Sequence, residues 1–437
     1  MAVRVSAEEA AAQVRPGQWV DYGFGLGQPD AFDAALAART DLAGPVWIRA
    51  ALSMRRRAVW EADPEGRRFV WLNWHFSGLD RRAHDRGAAH YIPLNFGEAP
   101  ELYRRFLAPV DVAVVKCCPR DAGGHYNFSG ACTYHAALLE RARCVVVEVD
   151  PRLPRVPGRG NAIHESRVHY VVETEGLGPP ELPRAEPSET DRRIARHVAE
   201  RVEDGDCLQI GIGGLPNAVC GALLEAGVRD LGVHTEMLVD GLMDLHRAGR
   251  VTGARKARGA GRMIFTFAGG SADLYHFIHD HPGLETWPVD KTNLPEHIMA
   301  NPGVVSVNST AQVDLQGQAA SENAGHRHLS GTGGQLQFVR GAYASPGGRS
   351  FLCLPSTRTR PDGTMESRIV AGLAPGTVVT TPRTDVMYVA TEWGVVNLKG
   401  RSLPERARAL ISVAHPDFRE ELSRAACAAR LGPAWYW

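Results

Sequence analysis

The chain has 437 residues, 44% of them hydrophobic, and Lys+Arg and Asp+Glu both count 49. Such a length allows two ordinary domains, each with a substantial core. A formally neutral chain has no general field to gather nucleic acid or an anionic membrane, so neither is expected as a partner and any anionic ligand has to be held by local donors. A small-molecule enzyme is favoured over a polymer binder.

No apolar run approaches the roughly 20 residues that a membrane span needs. The opening Met1-Ala-Val-Arg-Val-Ser-Ala-Glu-Glu9 reads as the end of a strand and the start of a helix rather than a signal peptide, and a cytoplasmic location is expected. The eight cysteines (117, 118, 132, 144, 207, 220, 353 and 427) show no CxxC pairing. Several lie in apolar runs, such as Cys144-Val-Val-Val147, and are expected as reduced, mostly buried thiols.

Residues 14–36, VRPGQWVDYGFGLGQPDAFDAAL, predict a strand, a glycine loop and a helix with an early proline. Trp71-Leu-Asn-Trp-His75 reads as core rather than as a platform for stacking bases. Val110–Val115, Cys144–Val149 and Val168–Val172 read as buried strands. From Gly176 to Pro187 four prolines and no apolar period mark a semi-rigid extended linker. The expected division is therefore a first domain over 1–187 and a second over 188–437.

After the linker, Ser188-Glu-Thr-Asp191 resembles a capping box, and Ile194, Val198 and Val202 recur at the spacing of an amphipathic helix. Leu208–Ile212, Met263–Phe267, Val304–Val307 and Val378–Thr381 are expected strands, with helices over Asn217–Glu225 and Ser271–His279. This alternation predicts an α/β fold with mostly parallel sheets.

Residues 202–223, VEDGDCLQIGIGGLPNAVCGAL, repeat the pattern of 14–36. Gly17 matches Gly205, Gly23 matches Gly211 and Gly25 matches Gly213; after a one-residue adjustment Pro29 matches Pro216 and Leu36 matches Leu223. Two similar α/β halves follow, with ligand chemistry expected at the glycine loops, where the strands end.

Gly211-Ile-Gly-Gly-Leu-Pro216 follows a strand and opens a helix, a geometry suited to negative charge. It lacks both the Walker A sequence and the dinucleotide spacing. A second loop, Ser330-Gly-Thr-Gly-Gly-Gln335, offers further backbone amides, and two such loops together can form an oxyanion hole. Between them lies Leu231-Gly-Val-His-Thr-Glu236-Met, one carboxylate among apolar residues, with a helix starting near Asp240. In the first half Ala51 stands where Glu236 stands in the second, so the shared architecture does not need the acid. A capping or salt-bridged glutamate is the bland alternative. His234, His326 and His328 show no metal-ligand spacing, and no GxSxG elbow is present.

These stretches resemble the acetyl-CoA hydrolase/transferase family, class I coenzyme A transferases, and within it the butyryl-CoA:acetate and 4-hydroxybutyrate branch. The resemblance is carried by DYGFGLGQP at 21–29, WHFSG at 74–78, GIGGLPNAV at 211–219, LGVHTEM at 231–237, SGTGGQLQFVRGA at 330–342, VVTTPRTDVMYVATEWGVVNLKG at 378–400 and ERARALISVAHPDFREEL at 405–422. It implies two pseudo-duplicated open α/β domains of the type shared with sugar-phosphate isomerases. It implies Glu236 as a nucleophile that becomes a glutamyl-CoA thioester. Gly211, Ile212, Gly213, Gly214 and Leu215 would contact coenzyme A, the amides of Ile212 and Gly334 would serve an oxyanion, and Gly334 would also touch the coenzyme. A basic residue after Pro355-Ser-Thr, Arg360 or Arg358, would meet the coenzyme as well. The implied substrates are acyl-CoA and short-chain carboxylates, with coenzyme A as substrate, no metal or prosthetic group, and a homodimer or homotetramer. An ionised carboxylate needs no general base, since an unperturbed Glu has a pKa of about 4.3. An acyl-CoA hydrolase would use the same residues and the same intermediate, and a non-catalytic coenzyme-binding protein would lack a use for Glu236.

Overall fold

A computed structural model describes residues 2–436. The chain divides into two compact units. One comprises the residues up to Leu182 together with Ile264–Thr292, and the other Pro183–Met263 together with the residues from Asn293 onward. The first crossing falls inside the proline-rich linker, close to the expected cut at 187/188. A single cut does not describe the chain, however, because Ile264–Thr292 returns to the first unit. The reason is local packing: Phe267 lies 4.7 Å from Phe24, Ala268 N–H donates to the Gly130 carbonyl (2.8 Å), and Thr286 N–H donates to that of Pro157 (2.9 Å).

The first unit is built on eight parallel strands: β1 (Val3–Arg4), β2 (Trp19–Phe24), β3 (Val46–Ala51), β4 (Phe69–Asn73), β5 (Ala89–Tyr91), β6 (Val110–Cys117), β7 (Ala142–Val149) and β8 (Tyr170–Glu173). Their order is β1-β8-β7-β6-β2-β3-β4-β5. Val-rich runs such as β6 and β7 suit a parallel sheet covered on both faces. Val20, Ile48, Trp71, Val114 and Val146 are fully buried against Phe32 and Leu36 of α1 (Ala31–Ala37). Trp74 is buried as well, so the Trp71–His75 stretch supplies core.

The second unit carries a six-stranded sheet of β9 (Cys207–Ile210), β10 (Gly232–Val233), β11 (Val304–Ser309), β12 (Arg349–Cys353), β13 (Tyr388–Thr391) and β14 (Gly394–Asn397). The order is β10-β9-β11-β12-β13-β14, parallel except for the final hairpin. The linker ends at a capping box: Asp191 N–H donates to Ser188 Oγ (3.1 Å) and Ser188 N–H to Asp191 Oδ2 (2.9 Å). Together they start α2 (Glu189–Ala199), whose Ile194 and Val198 face the core. Such a cap contributes about 1 kcal/mol.

Both units repeat one plan. β2, its glycine loop and α1 lead to β3, which pairs in parallel with β2. β9, its glycine loop and α3 (Gly214–Ala226) lead to β10, which pairs in parallel with β9. In the first sheet β4 and β5 continue outward from β3 before β6 crosses to the other side of β2, and in the second β11 lies on the other side of β9, so a switch point opens at the carboxyl ends of β2 and of β9.

Two expected strands differ from the structure. Met263–Phe267 is two short strands, Met263–Phe265 and Phe267–Ala268. Val378–Thr381 is not a strand; Thr381 alone makes a bridge, to Ala319, while Val378 is exposed and donates its N–H to Asn323 Oδ1 (2.8 Å). The residues lie between Gly376 and Pro382, and the second of these lacks the N–H a ladder needs. None of the eight cysteines is disulfide-bonded; six are buried, and Cys144 and Cys427 are partly exposed. Among the described residues no helix is long and apolar enough to cross a membrane.

Candidate active site

The site is assembled in the second unit at the carboxyl ends of β9 and β10. The register Cys207↔Gly232 and Leu208↔Val233 continues past the strands: His234 N–H donates to the Leu208 carbonyl (3.1 Å). The Thr235 hydroxyl donates to the carbonyls of Met237 (3.1 Å) and Ile210 (3.5 Å). His234 and Thr235 are buried, and Glu236 follows as the chain leaves the sheet for α4 (Asp240–Arg247).

Glu236 keeps a small accessible fraction. Its Oε2 accepts from Asn293 Nδ2 at 2.5 Å. Gly334 donates its backbone N–H to the same carboxylate. Gly334 is the N-cap of α6 (Gln335–Ala344), numbered after α5 (Val289–Asn293), so the carboxylate also lies at the positive end of a helix dipole. A Cβ on residue 334 would overlap Glu236 Oε2 and Asn293 Nδ2, which explains the glycine at that position. Burial raises the pKa of Glu236 to about 7, and the bonds from Asn293 and Gly334 oppose that rise. The ordinary carboxylate value assumed from sequence therefore does not hold, because desolvation outweighs two donors.

Neighbouring segments brace the second glycine loop. Glu322 accepts from Thr332 Oγ1 (3.1 Å) and, through its carbonyl, from Leu329 N–H (2.8 Å) and Ser330 N–H (3.1 Å). Gln335 Nε2 donates to Thr381 Oγ1 (3.1 Å). The stretch misread as a strand thus serves the loop that meets Glu236.

The first glycine loop leaves β9 next to the strand that delivers Glu236. Its residues are not alike. Ile212 projects an exposed side chain, while Gly213 caps α3 with φ +123°, a conformation glycine favours. Leu215 is buried in the core, and a Cβ on Gly214 would point at Asp191. Gly211, Ile212 and Gly213 are thus the members of the pentad that face open space.

Arg360 is not brought into contact with Glu236. It ends the exposed hairpin Thr357–Thr359/Met365–Ser367 and pairs with Glu366, which also accepts from Arg358 Nε (2.7 Å). The preceding turn is fixed by Glu392, which accepts from Ser356 N–H (2.9 Å) and Oγ (2.5 Å), and by Trp393 Nε1 donating to Ser356 Oγ (3.1 Å). Asn293 escaped the sequence reading. It stands in Lys-Thr-Asn293-Leu-Pro295, where an asparagine two residues ahead of a proline carries no signal beyond that of a turn.

The sequence matches the acetyl-CoA hydrolase/transferase N-terminal domain over residues 3–178 and the C-terminal domain of the same family over 270–426. It is 43% identical over 423 residues to the Syntrophomonas wolfei protein named "Probable butyrate:acetyl-CoA coenzyme A-transferase", covering 97% of this chain and 94% of that one. It is 40% identical over 428 residues to butyryl-CoA:acetate CoA-transferase of Anaerostipes caccae, covering 98% and 96%. The crystal structure of RipA from Yersinia pestis superposes with a TM-score of 0.89 at 38% identity, covering 98% of each chain.

Proposed function

The chain belongs to the acetyl-CoA hydrolase/transferase family and is a coenzyme A-transferase, and we propose that it moves coenzyme A from a short-chain acyl-CoA to a carboxylic acid through a thioester on Glu236. The observation that supports this reading is the Glu236 carboxylate, desolvated yet accessible, with Asn293 Nδ2 and the Gly334 amide on it. Glu236 attacks the thioester carbonyl, giving an acyl-glutamyl anhydride and the coenzyme A thiolate. The thiolate then attacks the Glu236 carbonyl, forming the enzyme thioester and releasing the first acid. An incoming carboxylate reverses both steps, so no water is consumed and no external base is required.

Each addition places negative charge on a carbonyl oxygen. Where the addition is at Glu236, the carboxylate already bonded by Asn293 and Gly334 takes that charge without reorganising its donors. The Ile212 amide, at the mouth of the neighbouring loop, is our candidate donor for the addition at the acyl carbon. Binding energy from the remote coenzyme, with contributions from Gly211, Ile212, Gly213, Gly334 and Arg360, offsets the cost of keeping Glu236 desolvated.

The reading is tested by initial rates with acyl-CoA and acceptor acid varied independently. Parallel double-reciprocal lines and acyl exchange that requires added acid are expected. Intersecting lines exclude the two-stage scheme, and thiol release that is indifferent to added acid marks a hydrolase.

A further inference from the structure

β10 is the edge of its sheet, and half of its polar groups have no strand to pair with. Gly232 and His234 donate inward, to the carbonyls of Asp206 (2.8 Å) and Leu208 (3.1 Å). Successive residues of a strand alternate sides, so Leu231 and Val233 turn their carbonyls to the open edge. Leu231 is met there by backbone, accepting from Thr252 N–H (3.1 Å) and Gly253 N–H (3.0 Å). Val233 is met by a side chain: Lys256 Nζ donates to its carbonyl at 2.7 Å.

Lys256 is 5% exposed. A second bond from its ammonium, to the Arg262 carbonyl at 2.7 Å, ties the loop 253–262 to the same edge, and Gly261 N–H donates to the Gly253 carbonyl (3.0 Å). The stem of the lysine lies flat on β10: a Cβ on Gly232 would sit 2.6 Å from Lys256 Cγ and 2.8 Å from Cδ. The glycine of Leu-Gly-Val-His-Thr-Glu is thus explained by the lysine beneath it. Burying an ammonium is costly, and a neutral N–H would satisfy one carbonyl without that cost. What the ammonium adds is a charge-assisted bond, about twice as strong as a neutral one.

We infer that Lys256 is a positioning residue for Glu236: its ammonium, on the Val233 carbonyl three residues upstream, fixes the strand end from which the carboxylate projects. The inference rests on the proposal that Glu236 is the nucleophile. It predicts a loss in the chemical step and not in coenzyme affinity, since Lys256 is buried beneath the strand.

The test is the rate of covalent coenzyme A labelling of the tryptic peptide Asp230–Arg247, which contains Glu236, measured per folded site in full-length enzyme. Lys256→Met keeps the stem and removes the ammonium; its labelling rate is expected to fall at least about tenfold, with KM for acyl-CoA within about twofold. Lys256→Arg, which keeps a charged donor, is expected to recover at least about a third of the rate, and Gly232→Ala, which displaces the stem and leaves the charge, to lose rate as Lys256→Met does. A Lys256→Met enzyme whose folded fraction labels at the wild-type rate, whatever its yield, overturns the assignment. A wild-type enzyme that never labels on this peptide overturns the Glu236 reading and the inference with it; a labelled wild type beside a full-rate Lys256→Met overturns the inference alone.

Discussion

Asn293 Nδ2 donates to Glu236 Oε2 at 2.5 Å, across 57 residues of sequence. The bond orients the carboxylate and opposes the desolvation that raises its pKa. Replacing Asn293 by Ala is expected to lower kcat about a hundredfold, the usual cost of losing one donor to a developing oxyanion. The midpoint of the pH profile is expected to move above 7, because a bond to the charged form is lost. Steady-state rates across pH 5.5 to 9 check both.

Gly334→Ala tests the opposite side of the carboxylate. The added methyl would overlap Glu236 Oε2 and Asn293 Nδ2, which are bonded to each other. Activity is expected to fall by at least about a hundredfold, with circular dichroism and oligomeric state unchanged. A variant at wild-type rate would show that the amide of residue 334 does not seat the carboxylate.

The pKa of Glu236, about 7, sets a pH dependence. In the proposed mechanism the ionised form attacks, so kcat/KM is expected to rise about tenfold per pH unit below 7 and to level off above it. Stability runs the other way. A carboxyl whose folded pKa is raised contributes stability that is complete below its unfolded value, 4.5, and is lost as pH rises through about 7. The ionised form then costs up to about 3 kcal/mol at pH 8. Glu236→Gln, which carries no charge, is expected to melt higher than the wild type at pH 8 and at the same temperature at pH 4.5. Calorimetry at the two pH values decides.

Arg360 is proposed as a surface contribution to coenzyme binding. It is exposed and shares Glu366 with Arg358. Arg360→Ala is expected to raise KM for acyl-CoA several-fold and leave kcat unchanged, the signature of binding that is equal in ground and transition states. Loss of kcat would place the residue nearer the reacting atoms than the hairpin does.

The legible parts of the sequence were those written in local signals. The capping box at Ser188, the Val-rich parallel strands and the two glycine loops each depend on neighbours within a few residues. The internal repeat made Glu236 conspicuous, because Ala51 occupies the matching position, three residues past Ile48 as Glu236 is past Val233. What stayed hidden depends on distant partners. Asn293 meets Glu236 only after the chain has left the second unit for Ile264–Thr292 and returned. That excursion is set by contacts such as Phe267 with Phe24, which no periodicity announces. The raised pKa was hidden for the same reason, since it comes from the burial that tertiary packing creates.

A covalent intermediate on Glu236 is visible to peptide mass spectrometry. Enzyme incubated with acyl-CoA in the absence of acceptor acid is digested, and the peptide Asp230–Arg247 is weighed. A coenzyme A adduct is expected, joined with loss of water and located at Glu236, that disappears on adding acetate or after Glu236→Ala, and that borohydride converts to an alcohol. Turnover retained by Glu236→Ala, or full exchange with that peptide unmodified throughout, would contradict it.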